Sequence, residues 1–460
     1  MSGCERIAED DGRAATPVTP LRACDLAAFL GREPAAVGWV GAVGFTAAPG
    51  THCVVPDAAG TVARVLLGEG DVAMWDWATL PAALAAGAYR IDPPDAASGD
   101  AALGWALATY RFDRYRARPM RQTTLLWPRE ADASVFAAAR RTAEAVFLVR
   151  DLINTPASDM GPAELAAAVA AVAERRGARC TTIEGDELLA QNYPAIHAVG
   201  RASARAPRLI DLVWGDPAAA KVTLVGKGVC FDSGGLDIKP ASAMKLMKKD
   251  MGGAAIMLGL ADMVMAAGLP VRLRLLIPAV ENSISGNAMR PLDVVPSRLG
   301  PTIEIGNTDA EGRVILADAL AEAASECPAL LLDCATLTGA ARVALGTEIA
   351  ALFTDDDGLA ADLAAASVAT GDPLWRLPLW RGYRRHVEGK TADLNNAPDL
   401  PYAGAITAAL FLAEFVQPPC PWAHFDTMAW NTESRPGRPE GGEAQAMRAL
   451  FAMLQARFAG

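Results

Sequence analysis

The chain has 460 residues, of which 52% are hydrophobic and 21% charged, and its net charge is −11. That composition excludes a disordered chain and allows a large buried core. The acidic balance gives the overall field no pull on nucleic acids or other polyanions. At about 150 residues per domain the length suggests roughly two to three domains.

The amino-terminal stretch MSGCERIAEDDGR is acidic and has no apolar centre, so no secretory leader is expected there. In the first third, VGWVGAVGF and VARVLLG read as strands, and LPAALAAGAY and DAALGWALATYRF as helices. A basic stretch, RFDRYRARPMRQ, follows. SVFAAARRTAEAVFLVRDLINTP then has helical periodicity, with Pro156 at or beyond its end. The domain boundary is placed within or just before this helix, giving a small α/β domain over 1–132 and a larger domain over 133–460.

Beyond it the pattern is regular. GPAELAAAVAAVAERRGA is a helix with Pro162 in its first turn. KVTLVGKG, VRLRLLIPAVE, TIEIGN and PALLLDCAT are strands; GGAAIMLGLADMVMAAG and VILADALAEAASE are helices. Apolar strands alternating with helices predict an α/β fold, a mixed, largely parallel sheet covered by helices on both faces. Ligands in such sheets sit beyond the carboxyl ends of strands. The longest apolar run, GGAAIMLGLADMVMAAGLP, carries Asp262 and reads as a helix packed on both sides rather than a membrane span. Eight cysteines are scattered without a CxxC pair, which suits buried, reduced thiols and a cytoplasmic protein.

Three segments concentrate polar groups beside apolar elements. VGKGVCFDSGGLDIKP holds Lys227, Asp232, Asp237 and Lys239; MKLMKKDMGGAA holds Asp250 at a helix start; NTDAEGR holds Asp309, Glu311 and Arg313. Singly, Asp250 reads as a helix N-cap, Lys227 as a solvated turn residue, and Asp309 and Glu311 as a loop. A phosphate loop is not supported, because GxxxxGK[ST] is absent. Together, Asp232, Asp250, Asp309 and Glu311 would place four carboxylates on one sheet edge, costly unless neutralised. Two divalent cations would neutralise them. None of the four histidines has zinc-site spacing, so oxygen-rich ligation by Mg²⁺ or Mn²⁺, or Zn²⁺ in a carboxylate pair site, is expected, with metal-assisted hydrolysis as the reaction class. If NTDAEGR runs extended, alternate residues point the same way, and Asp309, Glu311 and Arg313 face one cavity.

On these residues the chain resembles the leucyl aminopeptidase family, the dimetal cytosol aminopeptidases. NTDAEGR is that family's signature, VGKGVCFDSGGLDIKP and MKKDMGGAA resemble its other two metal segments, and the likeness runs from RDLINTPASDMGP to AWNTESRPGRPEGGEAQ. The resemblance implies that Asp232 and Glu311 bridge two ions, that Asp309 serves one, and that Lys227 and Asp250 serve the other. It implies catalytic roles for Lys239 and Arg313, and substrate contacts at Met247, Asn307, Thr336, Leu337 and Gly339. It also implies Mn²⁺ or Zn²⁺, with Mg²⁺ and Co²⁺ as alternatives, and a bicarbonate at Arg313. A hydroxide between the ions would attack peptides with free amino termini, with leucine-like residues preferred. A homohexamer with a macro-like amino-terminal domain is implied too.

The chain departs from the family at Ser283-Ile284, where Met-Pro is usual, and at Leu292, where Gly is frequent. If that position needs positive φ, Leu292 would force a different turn. Two rival readings are a DNA-binding scaffold, which the acidic charge does not support, and a dimetal phosphoesterase, which NTDAEGR does not favour.

Overall fold

The computed structural model describes residues 3–117 and 122–459, so part of the basic stretch RFDRYRARPMRQ lies outside the described residues. The chain forms two compact units, one running to Phe147 and including Glu433–Glu440, the other comprising Leu148–Thr432 and the chain from Gly441 onward. The division falls inside the helix Ala133–Asn154.

The first unit is built on six strands in the order Ile7–Glu9, Thr123–Trp127, Gly87–Ile91, Thr16–Leu21, Val62–Gly68 and His52–Pro56. All neighbours are parallel except the last pair. Two expectations fail here. VGWVGAVGF is not a strand: Pro34 opens a helix, Pro34–Ala42, that buries Ala36 and Val40 one turn apart. Proline's fixed φ suits a first helical turn, and i,i+4 burial then overrides the β-branched composition. LPAALAAGAY is helical only over Leu80–Ala83, because the chain is drawn into the strand Gly87–Ile91, hydrogen-bonded on both sides. Pairing with two neighbours outweighs alanine's helix preference.

The second unit is α/β with a mixed, largely parallel sheet. Its order is Leu374–Arg376, Ala350–Phe353, Trp422–Asp426, Leu330–Ala335, Ala220–Gly226, Val271–Asn282, Arg208–Trp214, Arg179–Glu184. The central strands are parallel and buried almost throughout, with Asp333 and His424 among their mostly apolar residues. The long strand Val271–Asn282 pairs first with Ala220–Gly226 and then with Gly228–Asp232. Lys227 is the break between these two partners, and its N–H donates to Cys334 O on the other neighbour at 3.0 Å. Lys227, Thr336 and Asp426 therefore emerge together at the carboxyl edge of the sheet.

The helix Gly252–Ala267 follows a 3-10 turn, Met247–Met251. The joined stretch is long and apolar enough to cross a membrane, but 89% of its most apolar window is buried within the protein. TIEIGN contributes only the two-residue strand Ile303–Glu304, in a separate three-stranded sheet. Of the described thiols, Cys53, Cys230 and Cys334 are buried, whereas Cys24 and Cys327 are exposed, so burial was expected too broadly.

Leu292 does not force a different turn. It adopts φ 70°, held by its N–H to Ile305 O at 2.8 Å and by Asp293 N–H to Arg290 O at 3.0 Å. Left-handed backbone costs an L-residue about 1–2 kcal/mol, and the side chain, 70% exposed, recovers little by burial. Leu292→Gly is expected to raise stability by about 1 kcal/mol in urea unfolding; a lowered midpoint would show that the exposed leucine makes an interaction of its own.

Candidate active site

Four carboxylates and two lysines meet at the carboxyl edge of the sheet. Lys227 Nζ lies 2.7 Å from Asp250 Oδ2 and 3.1 Å from Glu311 Oε1, and it donates to Thr336 O at 2.9 Å. Lys239 Nζ lies 2.8 Å from Asp232 Oδ2 and also touches Asp309 Oδ1. Ligand atoms of Asp232, Asp309 and Glu311 all lie within 4.8 Å of one another.

Burial opposes charge on all these groups, and their neighbours decide the outcome. On Lys227, burial is outweighed by Asp250, Glu311 and Asp232, so the ammonium is held more firmly than usual. The same balance, with Asp232 foremost among the carboxylates, holds the proton on Lys239. Burial and then Asp232 push Asp309 up to about 6, and the same two causes raise Glu311 well above the carboxylate range. Burial pulls the Arg313 guanidinium down to about 10.

The donor set fits divalent ions. Both Glu311 carboxylate oxygens are buried without a hydrogen-bond donor. Asp250 Oδ2, despite its closeness to Lys227, is off the angle of a hydrogen bond. Hard carboxylate oxygens left open in this way suit Mg²⁺, Mn²⁺ or Zn²⁺.

Close packing sets the arrangement. A Cβ on Gly312 would overlap Lys227 Cε and stand 2.8 Å from its Nζ. A Cβ on Gly253 would overlap Cys334 O. Glycine at these two positions lets two helix starts press against the sheet edge.

NTDAEGR is not extended. Asp309 lies in a turn, and Glu311 opens the helix Glu311–Ser325, which also carries Arg313. Alternation therefore does not aim the three charged side chains; the turn and the first helical turn do. Arg313 stands apart from the carboxylates, with Nη1 donating to Asn396 O at 2.6 Å and Nε buried without a partner. Asp250 caps no helix. Its Oδ1 accepts from Thr336 Oγ1 at 2.8 Å.

The other candidates border this cluster. Asn307 Oδ1 accepts from Asp309 N at 2.7 Å and so shapes the turn. Met247 is buried three residues before Asp250 on the same 3-10 turn. Leu337 and Gly339 follow Thr336, and Asp426 Oδ1 accepts from Leu337 N at 2.9 Å and Thr338 N at 3.2 Å.

Several supporting residues escaped the sequence reading. Asn396 Oδ1 accepts from Gly306 N at 2.8 Å and Asn307 N at 3.2 Å, and its Nδ2 donates to Asn307 O at 2.8 Å and Ala310 O at 3.2 Å. Every hydrogen-bonding site of that side chain is used on the signature loop. Asn282 Nδ2 donates to Asp232 Oδ1 at 2.9 Å and to Thr308 O at 3.0 Å. Asp237, singled out in the sequence but given no role there, accepts at Oδ2 from Thr308 N at 2.8 Å. Asn282 could have been noticed as the polar end of a long apolar strand; Asn396 lies in an irregular loop about 90 residues from its partners and leaves no periodic signal.

Fold and site together define a metallohydrolase-type centre on the carboxyl edge of an α/β sheet. The chain belongs to the cytosol aminopeptidase family: that family's catalytic domain matches residues 147–451, and the M17 aminopeptidase N-terminal domain matches residues 16–128. It is thus an aminopeptidase by family. A probable cytosol aminopeptidase of Syntrophotalea carbinolica is 42% identical over 367 residues, 76% of this chain and 73% of that protein. The crystal structure of the cytosol aminopeptidase from Coxiella burnetii superposes with a TM-score of 0.93 at 49% identity, covering 99% of this chain and all of that one. The bottromycin maturation enzyme BotP, solved in complex with Mn, has a TM-score of 0.86 at 35% identity, over 97% of this chain and all of its own.

Gly312→Ala separates packing from propensity. Alanine would favour the helix by about 1 kcal/mol if space allowed. Because the added methyl meets Lys227, a net loss of about 1–3 kcal/mol is expected instead, read by thermal or chemical unfolding; a stabilised variant would mean the contact is slack.

Proposed function

We propose that the protein removes amino-terminal residues, leucine-like ones preferred, from peptides with a free α-amine, using two divalent ions. The observation that carries this reading is the convergence of Asp232, Asp250, Asp309 and Glu311, with buried open oxygens, around two lysines. Asp232 and Glu311 would hold both ions, Asp309 one of them, and Lys227 with Asp250 the other. Mn²⁺ or Zn²⁺ is favoured, with Mg²⁺ and Co²⁺ as alternatives. When bound, such ions polarise the scissile carbonyl and lower the pKa of water lying between them.

The chain's own residues do the rest. Lys239, held protonated, stabilises the developing oxyanion. Arg313, with its buried unpartnered Nε, would hold a bicarbonate, which would supply a proton acceptor in place of a histidine. Met247, Leu337 and Gly339 line the side-chain pocket, while Asn307 and Thr336 orient the backbone. The 133–460 region is the catalytic domain and 1–132 a macro-like companion. A cytoplasmic homohexamer is the proposed state, and the net charge of −11 favours no DNA role.

Protein loaded with Mn²⁺ or Zn²⁺, and in parallel with Mg²⁺ and Co²⁺, is expected to release leucine from leucinamide but not from its N-acetylated form. Asp309→Ala should abolish the reaction, and Lys239→Ala should lower kcat by about 10²–10³-fold. Full activity in both variants would remove these residues from the chemistry.

Lysine ligates only as the neutral amine, and removing its proton at pH 7 from an ordinary pKa of about 10.4 costs about 4.6 kcal/mol. The surrounding carboxylates raise that cost further. Metal entry must therefore expel the Lys227 proton, below about pH 6 that of Asp309, and that of Glu311 wherever its raised pKa still holds it. Titrating metal-free protein with Zn²⁺ in weak buffer should acidify the solution, and affinity should rise with pH. A titration at pH 8 that releases no proton would remove Lys227 from the ligand set.

A further inference from the structure

We propose that His424 is a positioning residue for this reaction: bonded to Asp333 beneath the site, it fixes the two strand ends that carry Thr336 and Asp426, and with them the turn Leu337–Thr338 beside the substrate. This rests on the aminopeptidase reading above and gives a role to a buried histidine that the chemistry does not otherwise use.

His424 and Asp333 are both fully buried. They stand opposite each other on the parallel strands Trp422–Asp426 and Leu330–Ala335. Asp333 Oδ1 accepts from His424 Nδ1 at 2.6 Å, and its Oδ2 accepts from Trp422 Nε1 at 2.7 Å. An indole only donates, so both oxygens of Asp333 act as acceptors. His424 Nε2 is buried without a hydrogen-bond partner. The polar hold on the imidazole is therefore Asp333 alone. Its plane is set by stacking on Phe353, with centroids 5.8 Å apart, and on Trp422, at 6.4 Å.

A carboxylate and an imidazole at this separation form a charge-assisted bond. Burial opposes charge on His424, but Asp333 and then Asp426 outweigh both burial and the Arg313 cation, so its proton is held more firmly than usual. Such a buried pair is a poor source of stability, because apolar side chains of the same size do as well or better. What it adds is fixed geometry.

The place of the pair in the sheet gives that geometry its use. Side chains alternate along a strand, so Trp422, His424 and Asp426 share one face. Asp426 closes the same strand, and Thr336 lies just beyond the end of the strand bearing Asp333. Asp426 accepts from Leu337 N, Thr338 N and Thr338 Oγ1, the last at 2.6 Å. Thr338 Oγ1 in turn accepts from Ala341 N at 3.0 Å and caps the helix Gly339–Leu345. The segment bearing Leu337 and Gly339 thus takes its position from how these two strand ends lie together, and the His424–Asp333 bond ties them directly below.

The experiment measures kcat and KM for leucyl p-nitroanilide with Mn²⁺-loaded full-length protein, alongside bound manganese and the thermal unfolding midpoint. His424→Leu removes the bond and is expected to raise KM by about ten-fold, with bound manganese unchanged and kcat lowered by less than about three-fold. His424→Gln keeps an N–H donor for Asp333 and should recover most of that loss. Asp333→Asn is the milder change, keeps the test open if His424→Leu does not fold, and should raise KM by about three-fold. A lowered midpoint with KM unchanged in both His424→Leu and Asp333→Asn would make the pair merely structural and overturn the inference. So would a KM in His424→Gln as high as in His424→Leu, or a loss of manganese that accounts for the raised KM. Wild-type protein that releases no p-nitroaniline would sink the aminopeptidase reading, and this inference with it.

Discussion

Everything at the carboxyl edge of the sheet answers to one constraint: several carboxylates share a space too dry to ionise them all. Lys227 and Lys239 each bridge two of them. The energetic consequence appears on both sides of each pair. The lysines hold their protons more firmly, while Asp309 and Glu311 give theirs up less readily. Such a cluster is costly as a purely structural device, because removing water from charge outweighs most pairings. It is useful where added positive charge can enter, and the open oxygens of Glu311 are where it can be received.

Holding that cluster takes more residues than compose it. Gly312 lets the first helical turn bearing Glu311 press onto Lys227. Asn396 ties the loop before that helix with all its hydrogen-bonding sites, and its backbone carbonyl receives Arg313. Asn282 and Asp237 join Asp232 and Thr308 across segments far apart in sequence. Asp426 fixes the turn after Thr336. None of these groups is needed to neutralise charge. They hold the carboxylates to a fixed geometry, which a two-ion site requires.

The regular elements of the second unit were legible because their signals are local. Pro162 at a helix start, the apolar run of KVTLVG and the alternation of strand and helix each follow from short-range sterics and burial. In the first unit local signals competed. VGWVGAVGF carries β-branched residues yet folds as a helix, because Pro34 and the spacing of Ala36 and Val40 suit one buried helical face. LPAALAAGAY splits, because two neighbouring strands claim its second half. Leu292 keeps a left-handed turn that its own side chain disfavours, since the two backbone hydrogen bonds that hold the turn are set by its neighbours.

By itself the sequence determined the chemical inventory: which acids, lysines and arginine are available, beside which apolar strands, and the family to which the motifs point. Only the tertiary structure decided how those groups face one another. NTDAEGR turns into a helix instead of running extended, so its charges are aimed by a turn, by a glycine against Lys227 and by Asn396 from a distant loop. The physical reason is range. Propensity and periodicity act over a few residues, whereas the balance of buried charge is struck among side chains that meet only once the sheet has assembled.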